Sequence, residues 1–349
     1  MKVQVKAFGK AHLFTFINAS GASCSLTDRA GAIVSIRVPD RKGNIDDVVL
    51  GFEDEKQYIK NPGFLGALIG PVGNRIAGAQ FEFEGQTYKF EGNEKGKTLL
   101  HSVPFGFDRF IWDAVAEADE KEGRLVLRHS FNNADTGFPG NLDATVTYTF
   151  TEDNALSIHY HIESDSPSFV SPTNHTYFNI GGVGGKHIPS IDRQIIEIYA
   201  DRYTEVDEDC IPVGVKSVEG TPFDLRNGKK LREGFACEAE NAQLTIGAGY
   251  DHNFVLNGDG RAAKVIDKYT GRVMEVFTDL PGVQFYSANH LSRYNAATKR
   301  YYKRRDALCL ETQCAPDSIH HDGEDGYLVA RVDKDTPFDS VTTYKFSVL

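Results

Sequence analysis

The sequence predicts an all-β protein that folds as one large antiparallel β-sandwich. Apolar residues recur mainly at every second position, which is the period of a strand with one buried face. Sustained helical patterns of apolar residues are hard to find. The 33 glycines and 13 prolines are spread along the 349 residues rather than gathered in a linker, so we assign residues 1–349 to a single domain. Sandwiches of this kind offer a concave sheet face or a loop-rimmed cleft for binding.

The clearest strands form a predicted hairpin in the middle of the chain. Residues 144–150 alternate strictly between apolar and polar types, and Leu156, Ile158, Tyr160 and Ile162 alternate with polar neighbours. The acidic and amide residues at 152–154, between the two runs, are typical of a turn. We therefore predict two antiparallel strands joined by this turn.

Two further strand elements follow from the same period. Aromatic residues at positions 81, 83, 88 and 90 flank the short EGQ segment at 84–86, which predicts a second hairpin. Near the end of the chain, alternation at positions 342, 344, 346 and 348 predicts a final strand.

Composition and charge exclude several classes of partner. The formal net charge is -11, whereas a nucleic-acid contact needs an excess of positive charge on at least one face. No segment approaches the roughly 20 apolar residues that span a bilayer, and the N-terminus lacks the apolar core of a signal peptide. We expect a soluble cytoplasmic protein with a small-molecule ligand and neither nucleic acid nor membrane as partner.

The cysteines agree with a reducing compartment. The set is odd in number, scattered and without a C-x-x-C pair: Cys24, Cys210, Cys237, Cys309 and Cys314. This pattern argues against a disulfide framework and against a zinc knuckle. We expect reduced thiols.

The first candidate for chemistry is Glu311, in the short apolar run at 307–313. Period two places Ala307, Cys309, Glu311 and Gln313 on one face, with residues 308, 310 and 312 on the other. Burial in such a strand raises the pKa of a carboxyl group above about 4.3 and makes it a candidate general base. The alternative is a sheet-surface glutamate paired with a neighbouring cation.

The second candidate is His175, in a segment where polar and aromatic residues crowd together at 171–182. If the chain is extended there, His175 and Tyr177 project from the same face. An imidazole is the usual proton donor near neutral pH. The alternative is a core histidine whose hydrogen bonds are satisfied structurally.

Four other residues have side chains suited to holding a polar ligand. Arg75 lies among small and apolar residues and presents a planar fork of donors, although a structural ion pair is the alternative. His101 ends a short apolar run, and a satisfied core histidine is its alternative. Asp251 and Gln284 can bind hydroxyl groups, or can be turn or edge residues.

Taken together, these segments resemble the aldose 1-epimerase, or galactose mutarotase, family. The matching motifs occur in the family's order and span most of the chain. They are GNRI at 73–76, LH at 100–101 with GF at 106–107 and Trp112, NHTYFN at 174–179, YDH at 250–252, PGVQFY at 281–286, and LETQ at 310–313 with PD at 316–317.

The resemblance implies a galactose mutarotase-like supersandwich that binds free aldohexoses in an open cleft, without cofactor or metal, as a monomer or homodimer. It implies Glu311 as general base and His175 as general acid. The implied sugar-holding residues are Asn74, Arg75, His101, Tyr177, Asp251 and Gln284, with Asp251 addressing hydroxyls remote from the anomeric carbon.

The expected reaction needs only this inventory of side chains. Removing the proton from the C1 hydroxyl while protonating the ring oxygen opens a pyranose, and rotation about C1–C2 lets the ring close as the other anomer. Two alternatives stay open: an epimerase of hexose 6-phosphates, which requires additional cationic side chains in the cleft, and a non-catalytic sugar-binding protein on the same scaffold.

The sequence also departs from the family pattern. Where the family has a pair of glycines after the equivalent of His101, this chain has Ser102, Val103 and Pro104. We therefore expect the loop beside His101 to follow a different path, and we leave the identity of the sugar open.

Overall fold

The dominant element of the structure is a nine-stranded antiparallel sheet. The computed structural model describes residues 1–349, and antiparallel strands account for most of its regular structure, which confirms the predicted all-β class. In spatial order the strands of this sheet are Asp113–Ala118, Glu122–Phe131, Leu142–Thr151, Ala155–Ser164, Phe338–Val348, Arg272–Thr278, Arg261–Ile266, Ile195–Ile198 and Lys229–Lys230.

The strand pairs predicted from the two-residue period of apolar side chains are present in the structure. Strands Leu142–Thr151 and Ala155–Ser164 pair antiparallel around the turn at 152–154, and the last strand, Phe338–Val348, pairs with the second of them. The aromatic hairpin is confirmed as Gln80–Phe83 paired with Gln86–Lys89. The period-two pattern therefore predicted these elements correctly.

A five-stranded sheet carries the candidate site, and we call it the site sheet. Its order is Pro212–Ser217, Arg202–Val206, Asp251–Val255, Gly282–Tyr286 and Cys309–Gln313. In the register of the last two strands Gln284 lies opposite Glu311, and in the neighbouring pair Asp251 lies opposite Tyr286. Segments far apart in the sequence thus present side chains to a single face.

The back of the site sheet packs against the nine-stranded sheet. Leu308, Leu310 and Phe285 are fully buried in one core cluster with Tyr344 and Phe346 of the last strand. The hydroxyl of Tyr344 donates a hydrogen bond to the carbonyl of Leu310 at 3.1 Å. The predicted division of the 307–313 run is confirmed, because its even-numbered leucines face this core while Glu311 faces a cavity.

The remaining strands form an N-terminal sheet and short two-stranded ladders. The N-terminal sheet consists of Lys2–Phe8, Ala11–Ile17, Ser23–Thr27, Ile33–Pro39 and Ile45–Asp47. The remaining ladders pair Leu68–Ile69 with Thr173–Asn174, Arg75–Ile76 with Leu99–Leu100, Ser168–Phe169 with Arg331–Val332, and Ser292–Asn295 with Arg300–Lys303.

Helices are few and short. The α-helices are Glu55–Lys60, Asn133–Thr136, Leu231–Phe235 and Ala242–Ile246, and the 3-10 turns are Ala77–Ala79, Phe107–Arg109, Ile191–Arg193 and Ser318–His320. None of these helices has the length and apolar character needed to cross a membrane. All five cysteines are free thiols.

The packing behind the site sheet predicts a large stability cost for Leu310→Ala. Leu310 is fully buried, so truncation leaves a cavity and lowers the free energy of unfolding by about 2–5 kcal/mol, measured by urea denaturation. The matched control is Val213→Ala, on the edge strand of the same sheet, where the side chain is 57% exposed and a change within about 0.5 kcal/mol is expected. Equal losses in the two variants would contradict the packing described here.

Candidate active site

A cavity of about 320 Å³ opens on the front of the site sheet, and most of the predicted site residues line it. This volume is within the range of small-molecule sites. The predicted residues that line it are Glu311, His175, Tyr177, Asn74, Arg75, His101 and Asp251. Gln284 is buried behind the wall and donates to the Oδ1 atom of Asp251 at 2.8 Å, so it reaches the cavity only through that carboxylate.

Glu311 projects from the middle of strand Cys309–Gln313 into the cavity. It is 2% exposed, and its Oε2 atom has no hydrogen-bond partner within the protein. Burial raises the pKa of this carboxyl well above its ordinary value, with a further increase from the nearby Asp251 carboxylate and a decrease from Arg75. An unpartnered buried carboxyl oxygen that faces a cavity is suited to accept a hydroxyl proton from a ligand.

His175 faces Glu311 from an irregular segment that the backbone holds in place. Its amide donates to the carbonyl of Ala67, and its carbonyl accepts from the amide of Gly66, each at 3.0 Å. The predicted common face with Tyr177 is confirmed, since the two rings stack with centroids 5.0 Å apart. On its far edge, the Nδ1 atom lies 3.5 Å from the buried thiol of Cys309.

The two groups form a close pair with opposite titration behaviour. The Nε2 atom of His175 lies 3.7 Å from the Oε1 atom of Glu311. Burial lowers the pKa of His175 to about 4 while it raises that of Glu311, because in both cases it disfavours the charged form. Both shifts favour the uncharged forms, a neutral imidazole beside a protonated carboxyl.

His101 and Asn74 are joined by a reciprocal backbone contact across a short ladder. The amide of His101 donates to the carbonyl of Asn74 at 2.9 Å, and the amide of Asn74 donates to the Nδ1 atom of His101 at 3.1 Å. Since Nδ1 accepts, the proton of the neutral imidazole is on Nε2, which makes His101 a hydrogen-bond donor. Both residues have left-handed backbone, with φ of 55° and 57°, a conformation that Asn and His tolerate better than most residues.

Arg75 is ion-paired and also lines the cavity. Its guanidinium donates two hydrogen bonds to Glu94, at 2.7 and 3.0 Å, and its Nη2 atom lies 3.9 Å from the Oδ2 atom of Asp251. The structural alternative for Arg75 is thus correct as far as the ion pair goes. The pair nevertheless lies in the cavity wall, where its charges are largely balanced.

Several cavity residues carry no recognisable signal in the sequence. Glu94 comes from a polar loop, and only its pairing with Arg75 makes it part of the site. Phe64 packs against the rings of His101 and His175 at 4.7 and 5.9 Å from a left-handed backbone with φ of 55°. Arg293 also lines the wall, whereas Tyr286, another wall residue, ends the PGVQFY motif at 281–286. A positive φ in a phenylalanine cannot be recognised from the sequence alone.

The segment after His101 is held close to the neighbouring chain. The Ser102 hydroxyl donates to the carbonyl of Val72 at 2.8 Å and accepts from its amide at 3.1 Å. His101 remains in the cavity wall, so the unusual residues at 102–104 do not remove its side chain from the site.

Potential metal ligands also meet in this cavity. His101, His175 and Glu311 each contribute one potential ligand atom, and these three atoms lie within 4.8 Å of one another. Two imidazoles and a carboxylate are donor types found in transition-metal sites. Here, however, the Asn74 amide fixes the His101 tautomer with its proton on Nε2, and a protonated nitrogen cannot ligate a metal. The donors and acceptors present are suited to the hydroxyl groups of a polyol.

Comparison with known proteins gives one consistent family. The family model described as aldose 1-epimerase matches residues 12–332. An aldose 1-epimerase of Escherichia coli strain K12 is 36% identical over 314 residues, which is 88% of each chain. The galactose mutarotase of Homo sapiens is 34% identical over 321 residues, covering 90% of this chain and 88% of the relative.

Solved structures share the fold. An aldose epimerase homologue from C. elegans superimposes with a TM-score of 0.86 at 25% identity, covering 97% of this chain and 99% of its own. A galactose 1-epimerase from Lactobacillus acidophilus also gives a TM-score of 0.86, at 23% identity, covering 100% and 99%. The galactose mutarotase-like sandwich expected from the sequence is therefore confirmed.

The shifted pKa values predict that Glu311→Gln and His175→Gln change the pH dependence of stability in opposite directions. Above pH 4.5 an unfolded Glu311 loses a proton that the folded carboxyl keeps, so its contribution to stability falls as pH rises. Below pH 6.5 an unfolded His175 binds a proton that the folded ring, with a pKa of about 4, does not bind, so its contribution falls as pH falls.

Urea denaturation across pH 4 to 8 measures both effects. Relative to wild type, Glu311→Gln gains stability as pH rises and His175→Gln gains stability as pH falls, each by up to about 1.4 kcal/mol per pH unit. Glu205→Gln, on strand Arg202–Val206 of the same sheet but outside the cavity, is the control for replacing a glutamate. If the stability difference from wild type did not change with pH for either site variant, burial would not shift the pKa values of Glu311 and His175.

Proposed function

The chain belongs to the aldose 1-epimerase family, and on that premise we propose that it interconverts the α and β anomers of a free aldohexose such as galactose or glucose. In this proposal Glu311 is the general base and His175 is the general acid. The observation that carries it is the 3.7 Å approach of His175 Nε2 to Glu311 Oε1 inside a cavity of suitable size.

An acid and a base this close together can serve the chemistry of the ring. The hydroxyl oxygen that loses its proton and the ring oxygen that gains one are both bonded to the anomeric carbon. Two groups as close together as His175 and Glu311 can therefore each reach one of these oxygens.

Ring opening transfers two protons, one from the C1 hydroxyl to Glu311 and one from His175 to the ring oxygen, and it begins with the proton that burial favours on Glu311. When it moves from Glu311 to His175, the pair becomes a carboxylate base and an imidazolium acid, and the opposite charges stabilise each other at 3.7 Å. The carboxylate takes the C1 hydroxyl proton while the imidazolium protonates the ring oxygen. After rotation about C1–C2, the reverse transfers close the ring as the other anomer and restore the pair.

The sugar-holding residues surround this pair with donors and acceptors. His101 offers its Nε2 proton, Arg75 lies beside Asp251, and Asn74 and Tyr177 complete the wall. Asp251 accepts from hydroxyls remote from the anomeric carbon, and Gln284 orients that carboxylate by its 2.8 Å hydrogen bond. Fixed dipoles and charges of this kind stabilise the charge that develops on the oxygens during opening.

The proposed reaction consists of proton transfers and one bond rotation, and the residues named above supply every group it uses. A purely sugar-binding protein needs hydroxyl partners but no matched acid and base, so the His175 and Glu311 pair favours catalysis. As part of the same proposal we place the protein in the cytoplasm, in keeping with its five free thiols.

Removing either catalytic group tests the proposal directly. Polarimetry on freshly dissolved α-D-galactose and α-D-glucose should show wild-type acceleration, with kcat about 10²- to 10⁴-fold lower in Glu311→Gln and in His175→Gln. Glu205→Gln changes the same functional group on strand Arg202–Val206 of the same sheet, outside the cavity, and should retain wild-type activity. The proposal would be refuted if wild type and Glu311→Gln both gave anomerisation no faster than in buffer.

Gln284 is expected to act on binding more than on chemistry. Replacing it with Met removes the donor that orients Asp251, and a hydrogen bond to a charged group contributes about 1.5–3 kcal/mol. We therefore expect KM to rise about 10- to 100-fold while kcat stays within about threefold of wild type. A fall in kcat with unchanged KM would instead assign Gln284 to the chemical step.

A further inference from the structure

A second cavity, larger than the one at the catalytic pair, lies against the N-terminal sheet. Its volume is about 650 Å³, compared with about 320 Å³ for the cavity at Glu311, and the two cavities share no lining residue. One face of the N-terminal sheet forms its floor. The glycine-rich segment at 181–185 and the hairpin of Ser292–Asn295 and Arg300–Lys303 contribute to its walls. The anomerisation proposed above leaves this second cavity unused.

The floor of the second cavity carries a row of hydroxyl groups. Thr15, Ser25 and Ser35 lie opposite one another on three adjacent strands, and the hydroxyls of Thr15 and Ser25 are 2.9 Å apart. The neighbouring cross-strand row is fully buried in the core and consists of Phe16, Cys24 and Ile36. A polar sheet face ordinarily lies in open solvent, whereas these three hydroxyl residues are half-buried in a cavity.

The glycine-rich wall is held in a fixed position beside this floor. The amide of Gly184 donates to the Oδ1 atom of Asp46 at 3.0 Å, and a Cβ atom at Gly182 or Gly184 would overlap a carboxylate oxygen of Asp46. From the hairpin, the Nη1 atom of Arg300 donates to two carbonyls of the same segment at 2.7 and 2.8 Å. The absence of side chains at these glycines therefore permits the close docking that forms the wall.

The charged groups of the second cavity are balanced in number. Three cations and three carboxylates line it, and none of them forms an ion pair: Lys6, Arg37, Arg300, Asp46, Asp47 and Glu53. The exposed side chains of Arg37 and Glu53 make no hydrogen bond within the protein, so they are free to contact a ligand. Without an excess of positive charge, the cavity does not favour a polyanion. It offers hydrogen-bond donors and acceptors together, as a neutral polyhydroxy compound requires.

Apolar side chains form the rest of the lining. Phe52 and Tyr302 stack with ring centroids 6.1 Å apart, and Phe8 and Leu13 line the cavity from the first two strands. A sugar ring has hydroxyl groups around its edge and C–H groups on its faces. A hydroxyl floor beside aromatic and aliphatic groups is complementary to both.

From these observations we propose that the second cavity binds a neutral disaccharide. The hydroxyl row, Arg37 and Glu53 bond the sugar hydroxyls, and the aromatic wall contacts the C–H faces. The volume argues for two sugar units, because it is about twice that of the cavity assigned to a single hexose. This binding function goes beyond the proposed anomerisation and uses none of its residues.

Isothermal titration calorimetry on the full chain tests the proposal with trehalose, sucrose, maltose and lactose, and with inorganic phosphate as an anionic probe. Trehalose and sucrose have no free anomeric hydroxyl, so they cannot be anomerised. The variants are Ser25→Ala and Arg37→Gln. Ser157→Ala is the matched control for the first, since Ser157 bonds the Thr343 hydroxyl at 2.8 Å across the nine-stranded sheet. The exposed Arg261, on that same sheet, supplies the control Arg261→Gln for the second.

We expect wild type to bind at least one of the four disaccharides and to show no binding of phosphate. Loss of a neutral hydrogen bond should raise the Kd about 2- to 10-fold in Ser25→Ala, and loss of a charged one about 10-fold or more in Arg37→Gln. Both controls should stay within twofold of wild type, as should Asp251→Asn, which changes the other cavity. Galactose anomerisation by Ser25→Ala and Arg37→Gln should match that of wild type.

Four results would overturn the inference. They are no binding of any disaccharide by wild type, binding that weakens in Asp251→Asn but not in Ser25→Ala or Arg37→Gln, equal losses in the variants and their controls, and binding of phosphate in place of disaccharides. Each of these leaves galactose anomerisation by wild type unaffected, so none bears on the proposed function. Absence of anomerisation with disaccharide binding intact would instead refute the proposed function alone.

Discussion

The 3.7 Å approach of the His175 imidazole to the Glu311 carboxyl is the constraint that the surrounding structure serves. Two ionisable groups removed from water are costly to keep there unless they share a proton or gain partners. The site sheet supplies Glu311 from a strand whose back is buried against Leu310 and Tyr344. Backbone hydrogen bonds to Ala67 and Gly66 hold His175 from the opposite side. Support on both sides keeps the pair close, while burial favours the uncharged form of each group.

Charge balance divides the rest of the cavity into two regions. Around Glu311, the guanidinium of Arg75 faces two carboxylates, Glu94 and Asp251, so this end presents fixed charges with an excess of one negative charge that can accept hydrogen bonds from hydroxyls. In the wall beside Gly63 and Tyr177, the guanidinium of Arg293 has no such counter-charge. Two arginines in one cavity therefore differ in their electrostatic state, since one is ion-paired and the other is not. The difference lies in which carboxylates the fold brings within reach.

Much of the fold and part of the site follow from local patterns in the chain. Period-two alternation predicted the hairpin around residues 152–154 and the last strand, because the side-chain period of a strand is a local property. The same rule separated Leu310 from Glu311 and placed His175 beside Tyr177. Local patterns did not distinguish a cavity residue from one just behind it. Strand register places Gln284 on the same face as Glu311, yet Gln284 donates to Asp251 and does not line the cavity, because packing depth decides that outcome.

The sequence by itself determined the strand periodicity, the faces of the 307–313 run and a set of motifs sufficient to identify a family. Only the tertiary structure decided that Glu311 and His175 lie close together, that Glu94 forms an ion pair with Arg75, and that Arg293 has no ion-pair partner. The physical reason is the range of the contacts involved. Cys309 and His175 are 134 positions apart and Arg75 and Glu94 are 19 apart, so their proximity depends on sheet order and loop docking rather than on any pattern within a segment.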